Sequence, residues 1–428
     1  MNTTKTLRHV TYRRHLLLFA VLIAVLGVIT MTGCNEREEK TADGRIILTF
    51  WHTYNDQEEK LLKDIIKDWE KQVASYTIRA IRIPFDGHKP KIRTALTVER
   101  GPDMARVDWS FVCELSRKNA LVDLATLGFD KVKDRYLAAP LGTNFIDGKY
   151  RGLPDQTTCV ALFYNKKLFR DAGLNPDAPP KTWDEFVEQG KKLTDTAKGT
   201  YAFAMDNTVW WTLPFFNSFG ARIIASDGAT CLLDQKEAIA ALEFKSSLYN
   251  THKIEAGSWR AGSISPDSGF VNGKFAMIFS GPWNLPKFGN SGIDFGVGLI
   301  PAGPAGTSTN VGGTNVVIFN GSKNQQACFD FLTYFTSADV HARWCKALNQ
   351  IPVNLKSYDL VKYDDPHLMT FLEQMKSAVA NPIVTNFEVL EDIVNPEMEA
   401  IMTGQKTAQD ALKNAARKIE RKVLRRDG

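Results

Sequence analysis

The sequence predicts an α/β protein of two lobes, each built on a mainly parallel sheet flanked by helices. Three observations carry this. The chain has 428 residues, long for a single core. Its early part alternates strand, helix, strand, helix, strand, which implies parallel strands joined by right-handed crossovers. Phe275 to Phe279 is a short apolar run bounded by Gly273 and by Gly281-Pro282, the pattern of an interior parallel strand buried on both faces.

The amino terminus comes before any of these elements. Lys5, Arg8, Arg13 and Arg14 precede an uncharged run from Leu16 to Met31, which ends in Thr32-Gly33-Cys34. A basic head, an apolar stretch somewhat short of the roughly 20 residues a spanning helix needs, and small residues before a cysteine together read as a secretion signal. The end of this segment is similar to the bacterial lipoprotein cleavage box, which implies that Cys34 becomes the lipidated first residue; an uncleaved membrane anchor is the alternative. Residues 1–33 hold four basic residues and no acid, so their removal lowers the formal charge of +5 by four. A nearly neutral body argues against nucleic acid as a partner, and Arg417 to Arg426 reads as the solvated face of a last helix.

Glu36 to Gly44 is polar and unpatterned, as a tether would be. Ile46 to Trp51 reads as a strand, and Asp56 with Glu59 as the capping box of a helix with the apolar face Leu61, Leu62, Ile65, Ile66, Trp69 and Val73. Ile81, Ile83 and Phe85 alternate as a second strand, a helix starts near Lys89, and Met104 to Trp109 is the third strand. Tyr150 to Pro154 and Val160 to Tyr164 are extended. Thr182 with Glu185 and Asp234 with Glu237 cap two more helices, which makes Trp183 a packing residue. Ile300 to Gly313 is rich in Pro, Gly, Ser and Thr and reads as a loop, followed by a strand from Val316 to Phe319. From Ser322 the chain reads as helical, with Pro366 in one first turn, Pro396 interrupting another helix, and a last helix from Thr407.

Catalytic motifs of metalloprotease, nucleophile-elbow or phosphate-loop type are absent from the sequence. The five cysteines after Cys34, namely Cys113, Cys159, Cys231, Cys328 and Cys345, are odd in number and lack metal-ligand spacing, and no cofactor is expected. Tryptophans stand out instead. Trp51, Trp109 and Trp283 fall at carboxyl ends of expected strands, where open α/β sheets bind ligands, and Trp210-Trp211 precede Pro214 near a helix start. Polar residues accompany them: His52, Asp86, Asp108, Gln156 and Asn207. Flat apolar faces beside amides and carboxylates suit a sugar ring, with C–H groups on its faces and hydroxyls around its edge. Loop caps and core plugs are the competing reading of the same residues.

FWHTYNDQEEKLL, GPDMARVDW, ALFYNKKLFRDAGL with PKTWDEF, NGKFAMIFSGPWN, GLIPAGPAG with VGG, and GQKTAQDAL follow one another in this order along the chain. From Ile46 to about Ile419 the chain resembles the extracytoplasmic solute-binding proteins of bacterial sugar ABC transporters, the family that includes maltose-binding protein. The resemblance implies a hinged type II periplasmic-binding fold. Its lobe one would be residues 46–153 plus 302–336, and its lobe two 154–301 plus 337–428, behind a signal peptide (1–33) and a tether (34–45). It further implies a sugar or oligosaccharide in the inter-lobe cleft, delivery to a membrane permease, no enzymatic activity, and a monomer outside the cytoplasm. Matched motifs place Trp51, His52, Asp108, Trp109 and Gln156 at the ligand from lobe one and the hinge, and Trp210, Trp211 and Trp283 from lobe two. Gly312 and Gly313 would bring backbone close to the sugar, and Asn386 is a further candidate. Alternatives are another small solute, such as a polyol phosphate or peptide, or a glycosidase with carboxylates roughly 5 to 9.5 Å apart.

Overall fold

The structure is a computed structural model that describes residues 39–226 and 228–424; the secretion segment and Cys34 lie outside the described residues. The described part of the expected tether has local order. Lys40 bridges Ile46, and the Thr41 hydroxyl accepts from the Arg45 N–H at 3.0 Å. From Leu48 onward the chain forms one compact unit carrying two large sheets and a two-stranded one, Phe145–Ile146 with Lys149–Tyr150. No helix among the described residues is long and apolar enough to cross a membrane.

The first lobe starts as β1 (Ile46–His52), α1 (Asp56–Glu70), β2 (Tyr76–Arg82), α2 (His88–Thr97), β3 (Met104–Asp108) and α3 (Val112–Arg117). The capping box sits one residue ahead of expectation. Asn55 stays extended and accepts from the Gln57 and Glu58 N–H groups, each at 3.0 Å, while Glu58 accepts from the Asn55 N–H at 2.8 Å. Asp56 and Glu59 instead face Arg82. The second strand also lies earlier than its alternation suggested, because Pro84 opens a tight turn, Phe85–Gly87, that leaves Phe85 exposed.

Later elements are β4 (Gly152–Cys159), β5 (Ala161–Asn165), α4 (Trp183–Leu193), β6 (Tyr201–Ala204), α5 (Val209–Ser218), α6 (Lys236–Asn250), β7 (Phe275–Ser280), β8 (Phe295–Gly298) and β9 (Thr309–Ile318). Then follow α7 (Gln325–Phe335), α8 (Ala338–Leu348), α9 (Pro366–Met375), β10 (Ala378–Val379), α10 (Phe387–Met402) and α11 (Ala408–Ile419). Thr182 caps α4 by accepting from the Glu185 N–H at 3.2 Å, as read from the sequence. The expected Asp234–Glu237 box does not form; α6 starts at Lys236 after Gln235, which makes no side-chain cap. Pro396 lies inside an unbroken α10, and β10 interrupts the otherwise helical tail.

The first sheet has the order β10-β9-β3-β1-β2, with β4 paired to β9; the second is β8-β5-β7-β6. Both are mixed, and the second is mainly antiparallel. β1 runs parallel to β3, β9 to β10 and β6 to β7, whereas β9 opposes β3 and β4, and β5 opposes β7 and β8. β7 is therefore interior as expected, but it is parallel to one neighbour and antiparallel to the other. The stretch read as a long loop shortens for the same reason: Gly312 and Gly313 are inside β9, held by ladders on both sides.

The chain passes between the sheets where β4 ends and β5 begins. Val160, at that junction, is tied to the start of β9: its N–H donates to the Thr309 hydroxyl at 3.2 Å and its C=O accepts from it at 2.8 Å. Behind the second sheet, α5, α6, α10 and α11 share one apolar core that includes Val209, Leu242, Leu390 and Leu412. α8, expected with the second lobe, packs on α1: Arg343 pairs with Asp68 at 3.0 Å, and the Trp344 ring lies 5.1 Å from that of Tyr54.

Candidate functional site

Strand direction builds the site. β1 and β3 are parallel, so Trp51 and Asp108-Trp109 reach the same edge of the first sheet. Register adds Gln156 to that edge, because Thr314 of β9 pairs with both Asp108 and Gln156, placing the three in one row. In the second sheet, Phe203 and Ala204 of β6 pair in parallel with Met277 and Ile278 of β7. Asp206-Asn207 and Trp283 thus emerge past one shared edge, and Trp210 and Trp211 follow on the first turn of α5.

At the centre, an aromatic cluster gathers rings from the end of β3 and from the first turns of α5 and α10. The Trp109 ring stacks on Trp210 with centroids 6.3 Å apart and planes 27° apart, and it meets Phe387 edge-on at 4.9 Å. Trp210 also lies on β9: a Cβ at Gly312 would stand 3.0 Å from its ring and 2.7 Å from Thr158 Cγ2. Gly313 has φ +121, and a Cβ there would meet the Gln156 carbonyl oxygen at 2.1 Å. Both glycines serve the packing of ring and strand. Next to Trp109 there is a cavity of only about 10 Å³. A second contact with α10 is made by Lys89, which bonds Ser110 at 3.1 Å and Glu388 at 3.2 Å.

The other expected residues are placed differently. His52 is fully buried, since β1 alternates and Leu48, Phe50 and His52 share its core face. Burial pushes its imidazole down to about 4, and its Nε2 lacks a hydrogen-bond partner. His52 is a core histidine in this arrangement, away from any cleft surface. Trp51, on the opposite face, has the Lys91 ammonium 5.1 Å from its ring centre. Asp108 caps the turn that carries Trp109, accepting from the Ser110 N–H at 3.0 Å. Asp86 is exposed in the Phe85–Gly87 turn. Trp211 packs into the core of the second sheet. Trp283 is 47% exposed and folds back over Gly281. Asn386 is the N-cap of α10, one residue before Phe387. Among the described residues, no ring pair joins Trp51 or Trp283 to the central cluster.

Two buried charge networks escaped the sequence reading. On β3, Arg106 is paired with Asp155 of β4 at 2.8 Å, donates to Thr53 at 2.7 Å and to Gln156 Oε1, and lies 4.3 Å from the Tyr54 ring centre. Tyr54 in turn donates to Asp155 at 2.6 Å, and burial with that carboxylate holds its phenol far above the usual range. In the second lobe Lys245 is fully buried on α6, and its ammonium donates to Asn207 Oδ1 at 2.7 Å and to Thr212 at 2.6 Å. Burial lowers it to about 7 and raises the nearby Glu255, whose Oε1 has no partner, to about 7. A signal existed for both: Arg106 interrupts the apolar MARVD strand, and Lys245 continues the buried face Ala238, Ala241, Leu242. Phe387 had none.

A further cavity of about 500 Å³ is lined among others by Arg117, Phe145, Asn217, Arg222, Asn381 and Ile383, and it shares Asn381 and Ile383 with the small cavity next to Trp109. Among the described residues, no group of three or more His, Cys, Asp or Glu side chains could hold a metal, and Cys113, Cys159, Cys231, Cys328 and Cys345 are free and buried.

Residues 55–342 match the family model described as bacterial extracellular solute-binding protein. The chain belongs to that family. This solute-binding protein is 24% identical over 409 residues to a putative binding protein of Brucella abortus, covering 94% of this chain and 97% of the relative. It is also 24% identical over 407 residues to the sn-glycerol-3-phosphate-binding periplasmic protein UgpB of Rhizobium meliloti, at 86% and 91% coverage. Its fold matches the crystal structure of the cyclic alpha-maltosyl-1,6-maltose binding protein of Arthrobacter globiformis with a TM-score of 0.80, at 22% identity, covering 88% of this chain and 99% of that one. The two-sheet architecture is therefore the two-lobed type II binding fold, and the protein is a binding protein, not an enzyme.

Proposed function

We propose that this solute-binding protein captures a sugar or oligosaccharide between its lobes and delivers it to an ABC importer, as a monomer anchored outside the cytoplasm through lipid on Cys34. The observation that carries the reading is the meeting of Trp109 from the first lobe with Trp210 from the second. Two indole faces that already find each other across the lobes are suited to take the two faces of a sugar ring in place of that contact. Polar atoms for its hydroxyls stand on the crossing strands beside them, where Thr158 Oγ1, Thr314 Oγ1 and Asn310 Oδ1 are buried without partners. Trp51, Asp108, Gln156, Asn207, Trp283 and Asn386 would complete the rim. Support from outside the chain is the maltose-type ligand named for the Arthrobacter structure.

A ligand that touches both lobes favours their closed arrangement by its differential affinity. Small-angle scattering tests this. With saturating maltotetraose, or whichever sugar binds, the radius of gyration should fall relative to the free protein; an unchanged radius contradicts a two-lobed site. The UgpB relative supports a second reading, glycerol phosphate, which the same measurement with sn-glycerol 3-phosphate examines.

A further inference from the structure

Two of the three amide side chains assigned to the rim, Asn207 and Gln156, share a feature that neither needs for packing. Each has its carbonyl oxygen taken by a buried cation: Asn207 Oδ1 accepts from Lys245 at 2.7 Å, and Gln156 Oε1 accepts from Arg106. Both cations are themselves fixed from several sides. Lys245 also donates to Thr212 and lies 6.0 Å from the Phe215 ring centre; Arg106 is held by Asp155, Thr53 and the Tyr54 ring. Neither amide can turn over without leaving a buried charge short of an acceptor, which costs far more than one ordinary hydrogen bond. The NH₂ end of each amide is thereby left as the group that can face a solute, and both amides are half-buried.

We propose that Lys245 and Arg106 are positioning residues that lock Asn207 and Gln156 as hydrogen-bond donors, so that the site selects solutes presenting acceptor oxygens at two places, one toward each lobe. This rests on the cleft reading given above. Acceptor oxygens are offered by sugar hydroxyl and acetal groups and equally by a phosphate, so the shared chemistry is an oxygen-rich polyol.

The test replaces each amide by its isosteric acid. Asn207→Asp and Gln156→Glu put an acceptor-only group where the NH₂ stood, while the new carboxylate pairs with the buried cation beside it, so folding is retained. Calorimetric titration would use maltose, maltotriose, maltotetraose and mannotriose, with sn-glycerol 3-phosphate in a separate arm, and melting curves alongside. The expected result is that each variant binds the parent's ligand about tenfold more weakly or worse, with no fall in melting temperature. A pH series adds a readout that a merely structural lysine would not move. Lys245 is faced by Glu255 and Asp206, the latter also near Asp267, and it loses its charge near pH 7. Affinity of the parent should weaken as pH rises through that value, and Lys245→Met should remove the dependence. If the parent binds one of these solutes and both acid variants bind it within about twofold of the parent, the inference fails while the cleft reading stands. If the parent binds none, the cleft reading fails and takes the inference with it. Loss in the phosphate arm alone would identify the acceptor as a phosphate oxygen and keep the inference.

Discussion

Replacing Arg106 by methionine should destabilise the folded protein by about 3–5 kcal/mol, the usual cost of removing one partner from a buried ion pair. The structure shows why the cost falls at the upper end of single-site effects. The Arg106 and Asp155 side chains are 5% and 1% exposed, so neither can turn to water. Without the guanidinium, the Asp155 carboxylate keeps only the Tyr54 hydroxyl, its Oδ1 being without a partner already. The guanidinium over the Tyr54 ring is lost as well, worth up to about 2 kcal/mol in a desolvated site. Urea unfolding followed by tryptophan fluorescence measures the difference. A double variant, Arg106→Met with Asp155→Leu, removes both buried charges and should recover most of the loss, because apolar replacements of a buried pair are often neutral. A single variant within about 1 kcal/mol of the parent, or a double variant worse than the single, would refute the claim that these two charges stand opposed in a water-free layer.

Trp283→Ala should weaken sugar binding by about 2–4 kcal/mol, roughly 30-fold to nearly 1,000-fold, with little change in melting temperature, since the ring is 47% exposed. Trp183→Ala should do the reverse, because Trp183 is 4% exposed, stacks on Phe215 at 4.9 Å and bonds Ser218 at 3.1 Å; unchanged affinity in the first variant would misplace the stacking site. Stability of the parent should pass through a minimum near pH 7. Glu255, raised from 4.5 to about 7, contributes stability below pH 4.5 that is lost as pH rises to 7, and Lys245, lowered from 10.5 to about 7, contributes stability above pH 10.5 that is lost as pH falls to 7. Melting curves of Lys245→Met/Glu255→Gln from pH 5 to 9 should lack the dip; an equal dip in the variant would assign it elsewhere. Cys34→Ser should bind sugar normally but no longer sediment with membranes, and continued sedimentation would point to a retained anchor.

Local signals carried the fold further than long-range ones. The Thr182 cap, the Pro366 first turn and the buried apolar run of β7 are decided by neighbours in the chain, and each stands where the sequence placed it. Strand pairing depends on partners far away: β9 pairs with β3 and β4 at separations of over 150 residues, and nothing within IPAGPAGTSTNVGG announces those ladders. Hence the sequence alone suggests a longer loop than β9 leaves and a more parallel second sheet than forms. The site followed the same division. Trp109 and Trp210, whose rings meet, stand out in the sequence because tryptophan at a strand end or helix start is unusual, while the alternation of β1 sets His52 in phase with the buried Leu48 and Phe50. Arg106 and Lys245 each read as an interruption of an apolar pattern, because the partners that hold them, Asp155 and Asn207, lie far away in the chain.

The central claim, that a sugar enters between Trp109 and Trp210, is tested most directly by titrating maltose, maltotriose, maltotetraose and mannotriose into the purified protein by calorimetry, with Trp109→Ala and Trp210→Ala beside the parent. The account predicts one-to-one binding of at least one of these sugars by the parent and a loss of about 30-fold or more in each variant, both remaining folded. Parent-like affinity in both variants, or a parent that ignores the sugars but binds sn-glycerol 3-phosphate, would contradict it.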